Sequence, residues 1–213
     1  MTGRSAAPDR GVAEKHMYLV RFLLALLLLS SQPALAQVPA WIVGDVGGAA
    51  ELRRNGSVQP LRRGLRLQPG DTVETGANGR ASLARGREFI VVSPRTRITI
   101  PTAAQQQGGM TQIIQHIGRA TFNIERRSTP HFGVRTPHLA ALVRGTVFTV
   151  TVDGQGCRVA VSEGRVEVST HVGGARELVD PGMRATAPMG AHDRIILDRV
   201  EPGDAEAGGA EPS

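Results

Sequence analysis

Aromatic side chains are scarce, at 3% of the residues with one Trp and one Tyr. A core without them has to be assembled from Val, Ile, Leu and Ala. Past residue 36 only Trp41, Phe89, Phe122, Phe132 and Phe148 remain. That shortage removes the stacking platforms on which sugars or single-stranded nucleic acid are held. Cysteine is scarcer still. Cys157 stands alone, so an intramolecular disulfide is impossible. Its alternation with Val159 and Val161 predicts a small hydrophobe facing the core rather than a reactive thiol. Lysine is nearly missing, since Lys15 is the single one. Arginine therefore carries the basic character and the high isoelectric point.

The charge excludes less than its size suggests. Net charge is +6 over 213 residues, but no block of five or six like charges occurs. The arginines come as doublets at most, Arg53-Arg54, Arg62-Arg63 and Arg126-Arg127. Leaving out the first 36 residues removes Arg4, Arg10, Lys15 and Arg21 together with Asp9 and Glu14, so 21 basic and 17 acidic residues remain. No nucleic-acid partner is expected from this. Catalytic and metal-binding patterns are missing as well. His116, His131, His138, His171 and His192 show no metal-ligand spacing. His131 and His138 flank Thr136-Pro137 and are read as exposed polar residues at strand ends. There is no nucleophile elbow, no phosphate-binding loop and no Cys–His pair. We expect no enzyme, no cofactor and no metal.

What the chain does have is glycine and proline, 26 and 13 of them, which suits many short strands with frequent reversals. Asn55-Gly56 sits between two strand-like runs, the strongest short hairpin signal. Gln68-Pro69-Gly70-Asp71 is a second turn. Phe89–Val92 is a continuous apolar run, and Arg97–Ile100 follows as another strand. Ile113, Ile114 and Ile117 fit a helical stripe, yet the segment is short and flows into Gly118–Ile124, so a strand is expected. Gln105–Gly109 reads as a loop.

The first 36 residues have the three parts of a secretory signal: basic Arg21, the apolar core Phe22–Leu29, and Ala34-Leu35-Ala36 as a cleavage site. The core is too short to span a bilayer, which needs ~20 residues. Met17 is the expected true start, and cleavage after Ala36 leaves Gln37 first. Export to the periplasm or beyond is expected, with no stable membrane anchor afterwards.

The chain is organised around residues 132–169. Phe148, Val150 and Val152 share one strand face, with Val147, Thr149 and Thr151 on the other. The turn Asp153–Gly156 follows, and Cys157, Val159 and Val161 resume the alternation. Glu163-Gly164 is read as a second reversal, after which Val166 and Val168 return to the apolar face. A weak internal echo joins Leu67-Gln68-Pro69-Gly70 to Val179-Asp180-Pro181-Gly182. These features predict an all-β fold, a short β-roll or solenoid-like stack of strands, with a two-sheet β-sandwich as the alternative.

The phrases Thr136-Pro137, Val143-Arg144-Gly145-Thr146-x-Phe148 and Ser162-Glu163-Gly164-x-Val166-x-Val168, in this order, resemble the FecR domain, the periplasmic module of bacterial iron-citrate signalling. The stretch from Leu67-x-Pro69-Gly70-Asp71 to Leu83 resembles the start of that domain. Arg85-Gly86-Arg87-Glu88 then departs from the Asp-Gly turn usual there. The resemblance implies a non-enzymatic interaction or sensing module of the cell envelope. Its partner would be an envelope protein, such as an outer-membrane receptor. An envelope scaffold or cell-wall polysaccharide binder is the alternative. Pro137, Gly145, Thr146, Phe148, Glu163 and Gly164 carry the family motif and are read as fold-forming, with Glu163 bonded to backbone NH groups of its turn. The expected layout is a signal region (1–36), an N-terminal β flank (37–69), the FecR-like domain (70–169), closing strands (170–200) and a disordered acidic tail (201–213).

Overall fold

A computed structural model describes residues 40–105, 110–191 and 193–200. The expected signal region, most of the Gln105–Gly109 loop, His192 and the acidic tail lie outside the described residues. Among the described residues no helix is long and apolar enough to cross a membrane.

The fold is all-β, as the alternation predicts. Its first half holds β1 (Ile42–Gly47), β2 (Ala50–Arg54), β3 (Ser57–Pro60), β4 (Thr72–Thr75), β5 (Arg80–Arg85), β6 (Glu88–Val92) and β7 (Arg97–Thr99). The long β8 (Thr111–Ile124) stands in the middle. After it come β9 (Phe132–Arg135), β10 (Leu139–Val143), β11 (Thr146–Asp153), β12 (Gly156–Glu163), β13 (Val166–Thr170), β14 (Arg176–Val179), β15 (Met183–Pro188) and β16 (Ile196–Arg199). One short 3-10 turn, Ala103–Gln105, interrupts them.

Hydrogen bonding arranges these strands as two leaves. Leaf A runs β1-β5-β6-β8-β11-β12-β15-β16. Leaf B runs β3-β2-β4-β7-β8-β9-β10-β13-β14. Every pairing is antiparallel except β8 with β9. Strand β8 belongs to both leaves. Its Thr111–Ile117 half pairs in leaf B and its Gly118–Ile124 half in leaf A. Gly118, at φ +89, makes the switch, because a side chain there would meet the carbonyl oxygen of Arg95 at 2.5 Å. Gln115 is buried beside the switch, and its amide donates to the carbonyls of Gly118 (2.9 Å) and Val150 (3.0 Å).

The inward faces of the leaves meet. Phe122 on leaf A stacks on Phe148 at 5.0 Å and reaches across to Phe132 on leaf B at 6.0 Å. Leu52, Val73, Ile98, Val134 and Val168 on leaf B, with Leu83, Ile90, Val150 and Val159 on leaf A, are fully buried. Each such side chain contributes about 1.5–3 kcal/mol on leaving water. The alternation assigned to β11 and the inward Cys157 both stand in this core.

Strand order explains why a stack and a sandwich were both readable. The sheet is open, and along leaf A the strands follow one another in sequence order, as they do along leaf B once β2 and β3 exchange places. The chain thus advances steadily along one direction while its two leaves face each other. Two four-strand units repeat within that advance. Hairpin β5/β6 lies in leaf A while its flanking strands β4 and β7 pair in leaf B. Hairpin β11/β12 lies in leaf A while β10 and β13 pair in leaf B.

One turn reading is corrected here. Glu163-Gly164 does not fold β13 back onto β12; it carries the chain from leaf A to leaf B, where β13 pairs with β10 and β14. Two positive-φ positions mark the equivalent crossings. Val161-Ser162-Glu163-Gly164 (φ +76 at Gly164) matches Val92-Ser93-Pro94-Arg95, where Arg95 holds φ +52.

Candidate functional site

Three places stand out in the fold: the family-motif corner, a buried charged network and the open end of the sheet.

The motif residues gather where the chain crosses between leaves. Gly145, at φ +143, connects β10 to β11, and a Cβ on it would lie 2.6 Å from the Cβ of Arg126. A Cβ on Gly164 would lie 2.5 Å from the Gly145 carbonyl oxygen and 2.7 Å from the Thr146 methyl. The two crossings therefore touch backbone to backbone. Phe148 fills the core behind them. Thr146 is buried, and its hydroxyl has no hydrogen-bond partner among the described residues. A buried unpaired hydroxyl is costly, so Thr146→Val, which keeps the shape, is expected to raise stability by about 1 kcal/mol in urea unfolding. Glu163 is exposed at the end of β12, opposite Val147.

Pro137 sits elsewhere, in the turn between β9 and β10. There the Thr136 hydroxyl accepts from the Leu139 amide (3.0 Å) and donates to the Leu139 carbonyl (2.9 Å). The Cys157 thiol faces this turn from leaf A. Burial pushes it up to about 12, against the hydrogen bond with Thr136 and the charge of Arg158, so it stays protonated.

The charged network is what the sequence reading missed. Glu88 (2% exposed) accepts from Arg85 Nε at 2.9 Å and is ion-paired with Arg85 NH2, while its other oxygen meets His131 Nε2 at 3.1 Å. Arg85 NH1 donates to Thr111 Oγ1 at 2.7 Å, and the guanidinium lies 4.7 Å over the Trp41 ring. Trp41 in turn meets Phe132 edge-on at 6.3 Å. The cluster ties the β5/β6 turn of leaf A to the starts of β8 and β9 in leaf B. His131 is thus not an exposed strand-end residue: its side chain is 11% exposed. His138 lies beyond the opposite end of β9, so the two histidines flanking Thr136-Pro137 do not meet. The available signal was the Arg85–Glu88 departure from the family turn, with two charges where Asp-Gly is usual. With its carboxylate enclosed between Arg85 and His131, the network holds the two leaves together.

At the other extreme, β14 and β16 end the two leaves. Leu178, Ile196 and Leu197 are exposed on them. The β1 end is different, because Val43 N donates to Leu65 O (2.9 Å) and Gly64 N to Val43 O (2.7 Å), which covers that edge. Strand β3 is short and carries Pro60, a residue that blocks edge pairing. Arg184 ties β16 to β15 through Asp198 (3.1 and 2.5 Å), and that pairing holds the Asp198 carboxyl below its ordinary range.

Two leaves sharing one bent strand, with most of the motif at their crossings, define an open all-β domain. Residues 71–167 match the family model described as FecR protein, so that stretch of the chain is a FecR domain. The matched span takes in both four-strand units, from β4 into β13. Two crystal structures of a candidate anti-sigma factor from Parabacteroides distasonis, at 2.50 and 1.65 Å resolution, are similar in fold. Their TM-scores are 0.53 and 0.54, each at 18% identity over 64% of this chain. The chain spans 62% and 63% of the length of those chains. No curated protein matches it.

Proposed function

We propose that the protein is an exported, non-enzymatic interaction and sensing module of the bacterial cell envelope, acting as part of FecR-type signalling. The observation that carries this reading is the FecR match at 71–167, followed by end strands β14 and β16 that each pair on one side only among the described residues. FecR-type proteins are of a regulatory kind, and the structural relatives are described as candidate anti-sigma factors, a description that implies interaction with other proteins. An open edge gives such a module its means: a partner segment adds as a further strand, its backbone pairing with β16 or β14 while exposed Ile196 and Leu178 receive its side chains. The signal-like first 36 residues support export, and an outer-membrane receptor is a partner of fitting location.

In-cell crosslinking with mass spectrometry is expected to recover one envelope protein. Ile196→Lys with Leu178→Lys is expected to abolish that recovery while the unfolding midpoint stays put, since both side chains are exposed. Recovery of glycan alone would favour the polysaccharide-binding alternative. A full-length product in the cytoplasmic fraction would sink the export half of the proposal.

A further inference from the structure

Strands β11 and β13 start beside the Gly145 and Gly164 crossings and run to the far end of the fold, where three turns meet. Residues 153–156 join β11 to β12 and residues 189–195 join β15 to β16, both in leaf A. Residues 171–175 join β13 to β14 in leaf B. The bases of these turns lock together. Met189 N donates to Gln155 O at 2.8 Å, and a Cβ on Gly156 would stand 2.8 Å from that same nitrogen. A Cβ on Gly173 would lie 2.5 Å from the Cβ of Asp193, so the leaf B turn presses on its leaf A neighbour. Thr170 braces the leaf B turn from below, its amide donating to Ala175 O (3.0 Å) and its hydroxyl to Val172 O (2.8 Å).

On this braced base stand Val172 and Met189, each 64% exposed, the most exposed large apolar side chains among the described residues. The residues around them are small and uncharged: Gly154-Gln155, Gly173-Gly174-Ala175 and Gly190-Ala191. The polar groups nearby are already engaged or balanced. Asp153 is ion-paired with Arg158, and His171 Nε2 donates to Thr136 O at 2.7 Å. Asp193 and Arg194 follow one another with opposite charge. Charge of both signs collects instead at the motif corner, in Arg126, Arg127, Arg144 and Arg165 with Glu125, Glu163 and Asp180.

One apolar side chain in water is ordinary on a protein surface. Two of them on turns that touch form an apolar tip on a rigid mount. We propose that this tip seats the protein on a lipid bilayer, with Val172 and Met189 entering the boundary between headgroups and acyl chains. Area decides between lipid and protein as the occupant. A specific protein interface buries about 800 Å² on each partner, which two side chains cannot supply. Insertion at a bilayer has no such threshold, since its strength scales with whatever apolar area enters. The contact is weak and reversible, unlike a spanning helix, and it does not depend on strand pairing at β14 or β16.

The test is co-sedimentation with vesicles of phosphatidylethanolamine and phosphatidylglycerol. It uses the chain from Gln37 onward, which keeps every described strand and omits the apolar run Phe22–Leu29, a lipid binder in its own right. Vesicle-bound protein is expected, and Val172→Asp with Met189→Asp should lower the partition coefficient roughly 10–100-fold. The unfolding midpoint should stay in place, because both side chains are exposed. Phe89→Asp with Val91→Asp is the control, since these are also exposed (47% and 51%) but lie on β6, away from the tip. That pair should leave partitioning unchanged. Binding should also persist at about 1 M salt, where a Debye length of roughly 3 Å removes attraction between arginine and anionic headgroups. Absence of vesicle binding, its loss in high salt, or an equal loss from the control pair would overturn the proposal.

Discussion

Replacing Glu88 by alanine is expected to lower stability by about 3–5 kcal/mol, the cost of leaving buried charge without its partner. The carboxylate is 2% exposed and Arg85 only 8%, so neither water nor a rotamer change restores what is lost. Arg85 would keep the Trp41 face and the Thr111 hydroxyl, neither of which neutralises a guanidinium. His131 would lose its carboxylate contact at the same time. For a domain of this size each kcal/mol moves the melting temperature by ~2–4 °C, so a fall of roughly 6–20 °C should appear in thermal unfolding. The control is Glu125→Ala. Glu125 pairs at 3.1 Å with Arg87, whose side chain is 84% exposed, and an exposed pair is worth about 0–1 kcal/mol. Equal losses from the two substitutions would show that burial of Glu88 does not govern its contribution.

This network also marks where sequence reading stops. Periodicity reports which side of a strand is apolar, and on that basis β11, β12 and β13 were legible, whereas β6 read as a continuous apolar run although Phe89 and Val91 are exposed. The hairpin at Asn55-Gly56 was legible from composition, and both residues hold positive φ, 51 and 80. Periodicity does not report which strand lies alongside. Val143 pairs with Val166 and Thr111 with Phe132, partners whose separation in sequence carries no local signal. For that reason Glu163-Gly164 reads as a hairpin although it crosses between leaves. The repeat of the four-strand unit was hidden because Arg95 occupies a left-handed position that its counterpart gives to glycine. Burial of Arg85 and Glu88 depends on Trp41 and His131, more than forty residues away on either side. Two charges at a turn otherwise read as solvated.

The glycine pair at the motif corner carries the second large expectation. Gly145→Ala is expected to cost about 2–6 kcal/mol, more than a left-handed residue alone costs. Two penalties combine there. At φ +143 a side chain is strained by about 1–3 kcal/mol. The new Cβ would also meet the Cα and Cβ of Arg126, and overpacking adds about 1–3 kcal/mol. Backbone cannot yield as a flexible side-chain tip does, because Arg127 N is fixed to Arg144 O and Gly164 closes the other side. Gly56→Ala separates the two terms. Gly56 holds φ +80 in the β2/β3 turn with nothing within 4 Å of a Cβ, so only strain remains, about 1–2 kcal/mol. Urea unfolding of the two variants, at unchanged m-value, measures the difference as the contribution of close contact between the crossings. If both variants lose the same amount, the crossings do not press on one another. The glycine of Val143-Arg144-Gly145-Thr146 would then answer to φ alone.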